Sequence, residues 1–268
     1  MRHAIMTPRR PKTPMAMGFE EEQTAYDSSS QQARVWTEKW TGRWIYCLNC
    51  KNDQVEKFEN NKPAADFYCA ACNEQYEVKS TKGKFGTKVV NGAFKTLSER
   101  LASDTNPNFA FLSYSASKRE VRELFFVPKQ FMSIEKIEKR KPLASTARRA
   151  GWVGCNILLG KVPSSGKIYV VRDGISQSSD LVRNQWQKTL FLRQTPIEAR
   201  GWMVDVMRCC EGIGRAEFEI NDIYAFEGKL GEIYPGNKHV KEKIRQQLQL
   251  LRDNQYLDFV GRGRYRLR

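Results

Sequence analysis

An acid at Asp66 and a Glu-x-Lys at Glu77-Val78-Lys79, eleven positions on, are residue types that a metal-dependent nuclease uses. Residues two apart on a strand face the same side, so Glu77 and Lys79 project together while Val78 packs inward. Asp66, on a neighbouring arm, can bring its carboxylate beside Glu77. Two carboxylates with a phosphate oxygen and waters make a Mg²⁺ site, because Mg²⁺ takes hard oxygen ligands in octahedral geometry. Such an ion polarises the scissile phosphate and lowers the pKa of a bound water. Lys79 can orient or deprotonate that water and offset the charge that builds on the phosphorane.

A second pattern overlaps the first. Cys47, Cys50, Cys69 and Cys72 form Cys-x2-Cys-x18-Cys-x2-Cys, the spacing of a four-thiolate zinc site. Cys69 lies three residues after Asp66 and Cys72 five before Glu77. Thiolates pinned to zinc would make the turn between the two acids rigid and preorganise the site. Four protein thiolates leave zinc no open position, so its expected role is structural. Cys155, Cys209 and Cys210 have no partner pattern and read as small core hydrophobes.

The remaining chemistry is limited. His3 and His239 are the only histidines, so Ser-His and Cys-His hydrolase mechanisms lack a base. There is no Gly-x4-Gly-Lys-Ser/Thr, so no nucleotide cofactor is expected. Glu59 and Glu74 compete as a further metal ligand or base, whereas Asp53 and Glu56 read as solvated. The odd count of seven cysteines and the lack of an apolar secretory segment point to a reducing, cytoplasmic setting. No apolar run is long enough to span a bilayer, so no membrane partner is expected.

The partner is legible in the charge. The net charge is +15 and the isoelectric point about 9.6. Residues 139–172 carry eight Lys or Arg and no acid, and residues 237–268 carry nine against three acids. Two such runs suggest two contact surfaces for a polyanion, most simply nucleic acid.

These residues must be positioned by an α/β framework. Residues 1–18 are expected to be a disordered tail, with Met17 a candidate start. Ser28-Ser29-Ser30 can cap a helix to about Lys39. Short strands are expected at residues 67–68 and 76–79, a loop at 80–88, and a helix over 91–103 with Ala93, Leu97 and Leu101 on one side. Strands follow at 109–114, 124–127 and 168–171, then a helix at 179–190. Thr195-Pro196 marks a boundary between a domain at 19–194 and one at 195–268. Beyond it, helices at 199–210 and 218–230 precede a third, capped by Asn237, with Val240, Ile244, Leu248 and Leu251 as its apolar stripe. A hairpin through Gly261-Arg262-Gly263 completes a winged helix whose third helix suits the major groove. Lys238, His239, Lys241, Arg245 and Gln246 on that helix, and Arg262 and Arg264 on the wing, are candidates for base or phosphate contact.

Three segments resemble one family. They are residues 58–69 with Glu77-Val-Lys-Ser-Thr-Lys-Gly83, residues 141–156 (Lys-Pro-Leu-Ala-Ser-Thr-Ala-Arg-Arg-Ala-Gly-Trp-Val-Gly-Cys-Asn), and residues 239–253 with Gly261-Arg-Gly-Arg-Tyr265. They are similar to the DpnI and Dam-replacing family of methyl-directed type II restriction endonucleases. The resemblance covers almost everything after about residue 20, and Met1 to Gly18 has no counterpart. It implies a PD-(D/E)xK nuclease core with an integral zinc knuckle, then a winged helix. It also implies Mg²⁺-dependent cleavage of double-stranded DNA at GATC with N6-methylated adenine. Asp66, Glu77 and Lys79 match the catalytic positions, and the four cysteines match the metal ligands. Ala65 departs from the motif, which has proline before the acid. An N6-methyl group needs an apolar pocket in the major groove, for which Trp152, just after Arg148 and Arg149, is the candidate. A monomer in solution is expected. A nuclease of the same fold with another specificity, and a non-catalytic zinc-containing DNA-binding regulator, stay open as alternatives.

Overall fold

The computed structural model describes residues 14–19, 28–59, 65–103 and 106–268. Helix α1 (Ser29–Trp44) leads into strands β1 (Glu56–Lys57), β2 (Phe67–Tyr68), β3 (Gln75–Lys82) and β4 (Val89–Ala93). Helix α2 (Phe94–Leu101) is followed by β5 (Asn108–Ser115), β6 (Glu120–Val127), β7 (Ile137–Lys139), β8 (Gly154–Ile157), β9 (Ile168–Arg172) and β10 (Ile175–Ser176). Helices α3 (Ser179–Gln187) and α4 (Ile197–Gly212) precede β11 (Glu217–Glu219). Then come α5 (Ile220–Tyr224), α6 (Glu227–Ile233), α7 (Val240–Asp253), β12 (Leu257–Gly261) and β13 (Arg264–Leu267).

The main sheet runs β1-β2-β3-β5-β6-β9-β10. Among the described residues only β3 and β5 pair in parallel, joined by the α2 crossover. Seven of the eight residues of β5 are buried, because it is central and covered on both faces. On one face Leu112, Leu124, Phe126 and Val170 meet Trp40 and Trp44 of α1 and Val182 and Trp186 of α3. On the other, Phe109, Phe111, Phe125 and Val127 belong to a core that continues through Ile137 and Cys155 to Trp202, Val206 and Leu248. A second sheet, β4-β8-β7, sits within that core.

The C-terminal part has α4, α5, α6 and α7 against the sheet β11-β13-β12. Val240, Ile244, Leu248 and Leu251 are buried as the apolar stripe requires. The junction with the main sheet carries a buried ion pair. Lys136 Nζ lies 2.8 Å from Asp205 Oδ1 of α4, with both side chains 1% exposed. The other Asp205 oxygen accepts a hydrogen bond from the Tyr234 hydroxyl at 2.8 Å.

Several expectations are corrected. Residues 14–18 of the supposed tail are placed: the Trp40 indole donates to Ala16 O, Val121 N donates to Met17 O, and Gly18 bridges Glu120. Residues 1–13 lie outside the described residues. The helix read at 91–103 begins only at Phe94, because Val89–Ala93 pairs with β8. Strands β7 and β8 are too short to show a period in the sequence. The helix read at 218–230 is a strand and two short helices, since Phe218 pairs with Tyr265 of the wing. Asn237 is not the cap of α7. The cap position is His239, whose N–H donates to Asn237 Oδ1 in an Asx turn.

Candidate active site and metal centre

Asp66 and Glu77 sit on the two arms of one hairpin. Phe67 pairs with Tyr76 and Tyr68 with Gln75, and Asp66 N donates to Tyr76 O at 2.8 Å. The alternation along β3 sends Tyr76 and Val78 towards the α1 side, while Glu77 and Lys79 share the opposite face. Strand β2 ends before Val78, whose N–H would be left open. Asp66 Oδ2 accepts it at 2.7 Å. The carboxylate is thereby tied to the backbone between Glu77 and Lys79.

Glu77 is buried at 6% exposure. Its Oε1 lies 2.5 Å from Lys79 Nζ, while its Oε2 is buried with no hydrogen-bond partner. A buried carboxylate oxygen without a donor is costly unless something cationic meets it. Asp66 alongside is 15% exposed. Burial pushes the Asp66 carboxyl above its ordinary value against the pull of the Val78 N–H, and Glu38 and Glu77 add to the rise while Lys79 lowers it. Acids crowded in this way suit a hard divalent cation, and the orphaned Glu77 oxygen supplies a free ligand atom.

Glu38 was missed in the sequence. It is 7% exposed on α1, where its carboxylate binds Arg34 Nε at 2.5 Å and Lys57 Nζ at 2.9 Å. Arg34 also reaches Asp66 Oδ1 at 3.3 Å. Twenty-eight positions separate Glu38 from Asp66. A Glu four residues after an Arg on a helix reads as a surface pair, so no local signal marks it. The two acids that competed for the role lie elsewhere. Glu74 is held by Arg193 at 2.7 and 3.2 Å and by Asn108 at 2.6 Å, a structural network. Glu59 is exposed.

Arg100 of α2 faces the same site, donating to Gln75 Oε1 at 2.9 Å. Burial lowers its pKa and the charge of Glu77 offsets this. Cys155 is buried, and its thiol is pushed up to about 11 by burial, which keeps it unreactive.

The hairpin turn carries Cys69 and Cys72, and the loop after α1 carries Cys47 and Cys50. All four Sγ atoms lie within 4.8 Å of one another. The Cys47–Cys72 and Cys50–Cys69 separations are 3.5 and 3.6 Å. Zn–S bonds of about 2.3 Å at tetrahedral angles put sulfurs about 3.8 Å apart, so these residues can hold a zinc ion. Asn73 takes a left-handed φ of 59° to close the second knuckle. The Tyr76 hydroxyl meets Cys47 Sγ at 3.2 Å, and burial holds that phenol far above its ordinary pKa. Tyr76 precedes Glu77, so the cysteine cluster is bonded to the strand of the candidate site. Helix α3 clamps the first knuckle, with Trp186 Nε1 donating to Asn49 Oδ1 at 3.1 Å.

The candidate DNA-contact residues fall into three places. Arg148 and Arg149 are exposed in the loop between β7 and β8, where Leu143 N donates to Trp152 O. Trp152 is half-buried, with Arg149 over its ring at 4.5 Å. A Cβ at Gly154 would lie 2.8 Å from that ring, so glycine lets the indole lie flat on the strand. Lys238, His239, Lys241, Arg245 and Gln246 are all exposed at the start of α7 and along it. Lys241 pairs with Glu227 and Arg245 with Glu242, while Gln246 accepts from Lys243. On the wing, Arg264 lies 3.7 Å from Glu217, and Arg262 is exposed at the turn.

Fold and site together describe a mixed α/β protein with a cluster of four cysteines that could hold a zinc ion and a C-terminal helix-turn-helix domain of a DNA-binding kind. Residues 15–195 match the model of the Dam-replacing family (DpnI), and residues 198–267 match that of the Dam-replacing HTH domain. The chain belongs to the Dam-replacing family. That membership implies a methyl-directed restriction endonuclease with DNA as partner. The match starts at residue 15, within the stretch expected to have no counterpart. None of the helices among the described residues is long and apolar enough to cross a membrane.

Proposed function

We propose that the protein is a Mg²⁺-dependent type II endonuclease that hydrolyses phosphodiester bonds of duplex DNA at GATC sites carrying N6-methyladenine. It works in the cytoplasm as a monomer, with a nuclease domain at residues 19–194 and a winged helix at 195–268. The observation that carries the reading is Glu77: a buried carboxylate with one oxygen free of any hydrogen bond, beside Asp66 and Lys79, in a member of this family.

Asp66 and Glu77 would hold the metal ion. When bound, Mg²⁺ supplies polarisation of the phosphate and a more acidic water. Lys79 holds the attacking water by its ammonium and faces the phosphate as negative charge builds. The Val78 N–H keeps Asp66 aimed, so the site is set before substrate arrives. Cys47, Cys50, Cys69 and Cys72 would hold a structural zinc ion, which would fix the separation of the hairpin arms. Trp152 receives the methyl group, flanked by Arg148 and Arg149. Lys238, His239, Lys241, Arg245 and Gln246 meet the major groove, and Arg262 and Arg264 meet phosphates.

Incubating the protein with Dam-methylated and unmethylated GATC plasmid, with and without Mg²⁺, tests the reading. Cleavage of the methylated plasmid alone, and only with Mg²⁺, is expected. Cutting that ignores methylation points to a nuclease of other specificity. Binding without any cutting points to a regulator.

A further inference from the structure

A large cavity lies away from Asp66, Glu77 and Lys79. It is a cleft of about 770 Å³ between the main sheet and the winged helix. One wall is β9, α3 and the segment after α3, and the other is the turn after α7 with the C-terminal residue. Strand β9 stands three strands from β3, roughly 14 Å at ordinary strand spacing.

Its lining has one sign of charge. Lys167, Arg172, Lys188 and Arg268 line it, with no Asp or Glu among the lining residues. Arg268 is paired with Asp258, whereas Lys167 and Lys188 have no ion pair among the described residues. Glu211, the acid nearest Lys167, already accepts from Ser164 N, from Ser165 N at 3.0 Å and from the Tyr256 hydroxyl at 2.8 Å. Burial depresses the Lys167 pKa, with Glu211 only offsetting it. A cleft whose own lining carries cations and no acid concentrates an anionic ligand.

The other lining groups narrow the ligand. Tyr169, Phe191 and Tyr256 present rings, and Arg172 lies 4.9 Å over that of Tyr169. The Tyr256 ring is held in place by the bond from its hydroxyl to Glu211. Leu181 is 49% exposed at the cleft, an apolar surface without cover. Gln185 and Gln255 add amides, and Gln255 is held at a left-handed φ of 60°. Cations for phosphate, rings for stacking and amides for base edges are the equipment for unpaired nucleotides. The volume falls in the range of small-ligand clefts, roughly 300–1,000 Å³, and does not admit a duplex.

We infer that this cleft is a second nucleic-acid site, which takes a short single-stranded DNA segment independently of the Asp66–Glu77–Lys79 centre. Phosphates lie on Lys167 and Lys188, and bases stack on Tyr169 and Tyr256.

The test uses the full chain without Mg²⁺ and a short fluorescein-labelled oligothymidylate, read by anisotropy. Lys167→Ala/Lys188→Ala weakens binding by about tenfold or more and lowers the salt slope by about 0.7 for each phosphate left without its cation. Lys95→Glu, the same charge change at an 89% exposed position on α2, leaves binding within about twofold. A 5-iodouracil-substituted oligothymidylate crosslinks to peptides containing Tyr169 or Tyr256. Equal affinity of the cleft variant and the Lys95→Glu control, or crosslinks only outside the cleft, overturns the inference. Neither readout involves phosphodiester cleavage, so its failure is separate from failure of the endonuclease reading.

Discussion

Replacing Lys136 by Met should destabilise the protein more than any single exposed charge can. Lys136 and Asp205 are each 1% exposed and 2.8 Å apart. Met keeps most of the volume of the lysine stem, so the change removes charge rather than packing. Asp205 would then keep the Tyr234 hydroxyl at 2.8 Å and Arg208 Nε at 3.7 Å. An uncompensated buried charge costs about 3–5 kcal/mol. Arg208 Nε is itself buried without a hydrogen-bond partner and can shift towards Asp205, which places the cost near 3 kcal/mol. A chain of this size loses about 2–4 °C in Tm per kcal/mol, so a fall of roughly 6–12 °C is expected. Urea unfolding followed by circular dichroism should show a lower midpoint with an unchanged m-value. Lys136→Met/Asp205→Leu should recover part of the loss, leaving the Tyr234 hydroxyl unsatisfied at about 1–3 kcal/mol. A loss under about 1 kcal/mol for Lys136→Met, the size of an exposed pair, would refute the reasoning.

Asp66→Ala and Lys79→Ala should each cut the cleavage rate by at least about 10²–10³ while methylated duplex binding is retained, measured by single-turnover cleavage and anisotropy. Glu38→Gln should raise the Mg²⁺ concentration for half-maximal cleavage by about 10–100-fold, since it sits behind Asp66; an unchanged Mg²⁺ titration would remove it from the site. Metal analysis should find one zinc per chain, lost together with the fold in Cys69→Ser, whereas Tyr76→Phe should keep the zinc and lose about 1 kcal/mol of stability. Gly154→Ala puts a Cβ 2.8 Å from the Trp152 ring, so it should displace the indole, cost about 1–3 kcal/mol and narrow the preference for methylated over unmethylated duplex.

Local patterns were legible where one face decides burial. The stripe Val240, Ile244, Leu248 and Leu251 of α7 is buried as read, and the hairpin read through Gly261-Arg262-Gly263 joins β12 to β13. Where partners from far along the chain decide, local reading failed. Residues 91–93 carry helical spacing yet pair with residues 154–155, because β8 offers a ladder that no nearby residue reveals. Phe218 reads as the start of a helix, but its ring stacks on Tyr265 at 5.7 Å. Asn237 looked like a cap because Asn favours caps; it forms an Asx turn instead, which satisfies the same side-chain oxygen two residues on.

The sequence by itself determined the hairpin. The offset of Asp66 from Glu77-x-Lys79, and the placement of Cys69 and Cys72 between them, depend on strand period and turn length alone. Only the tertiary structure decided what surrounds that hairpin. Glu38 arrives on a helix, Arg100 on the crossover, and Lys136 meets Asp205 across the junction of two parts. Burial makes the difference: whether a Glu is a solvated surface charge or a crowded acid depends on the water excluded around it, and that depends on every layer packed against the strand.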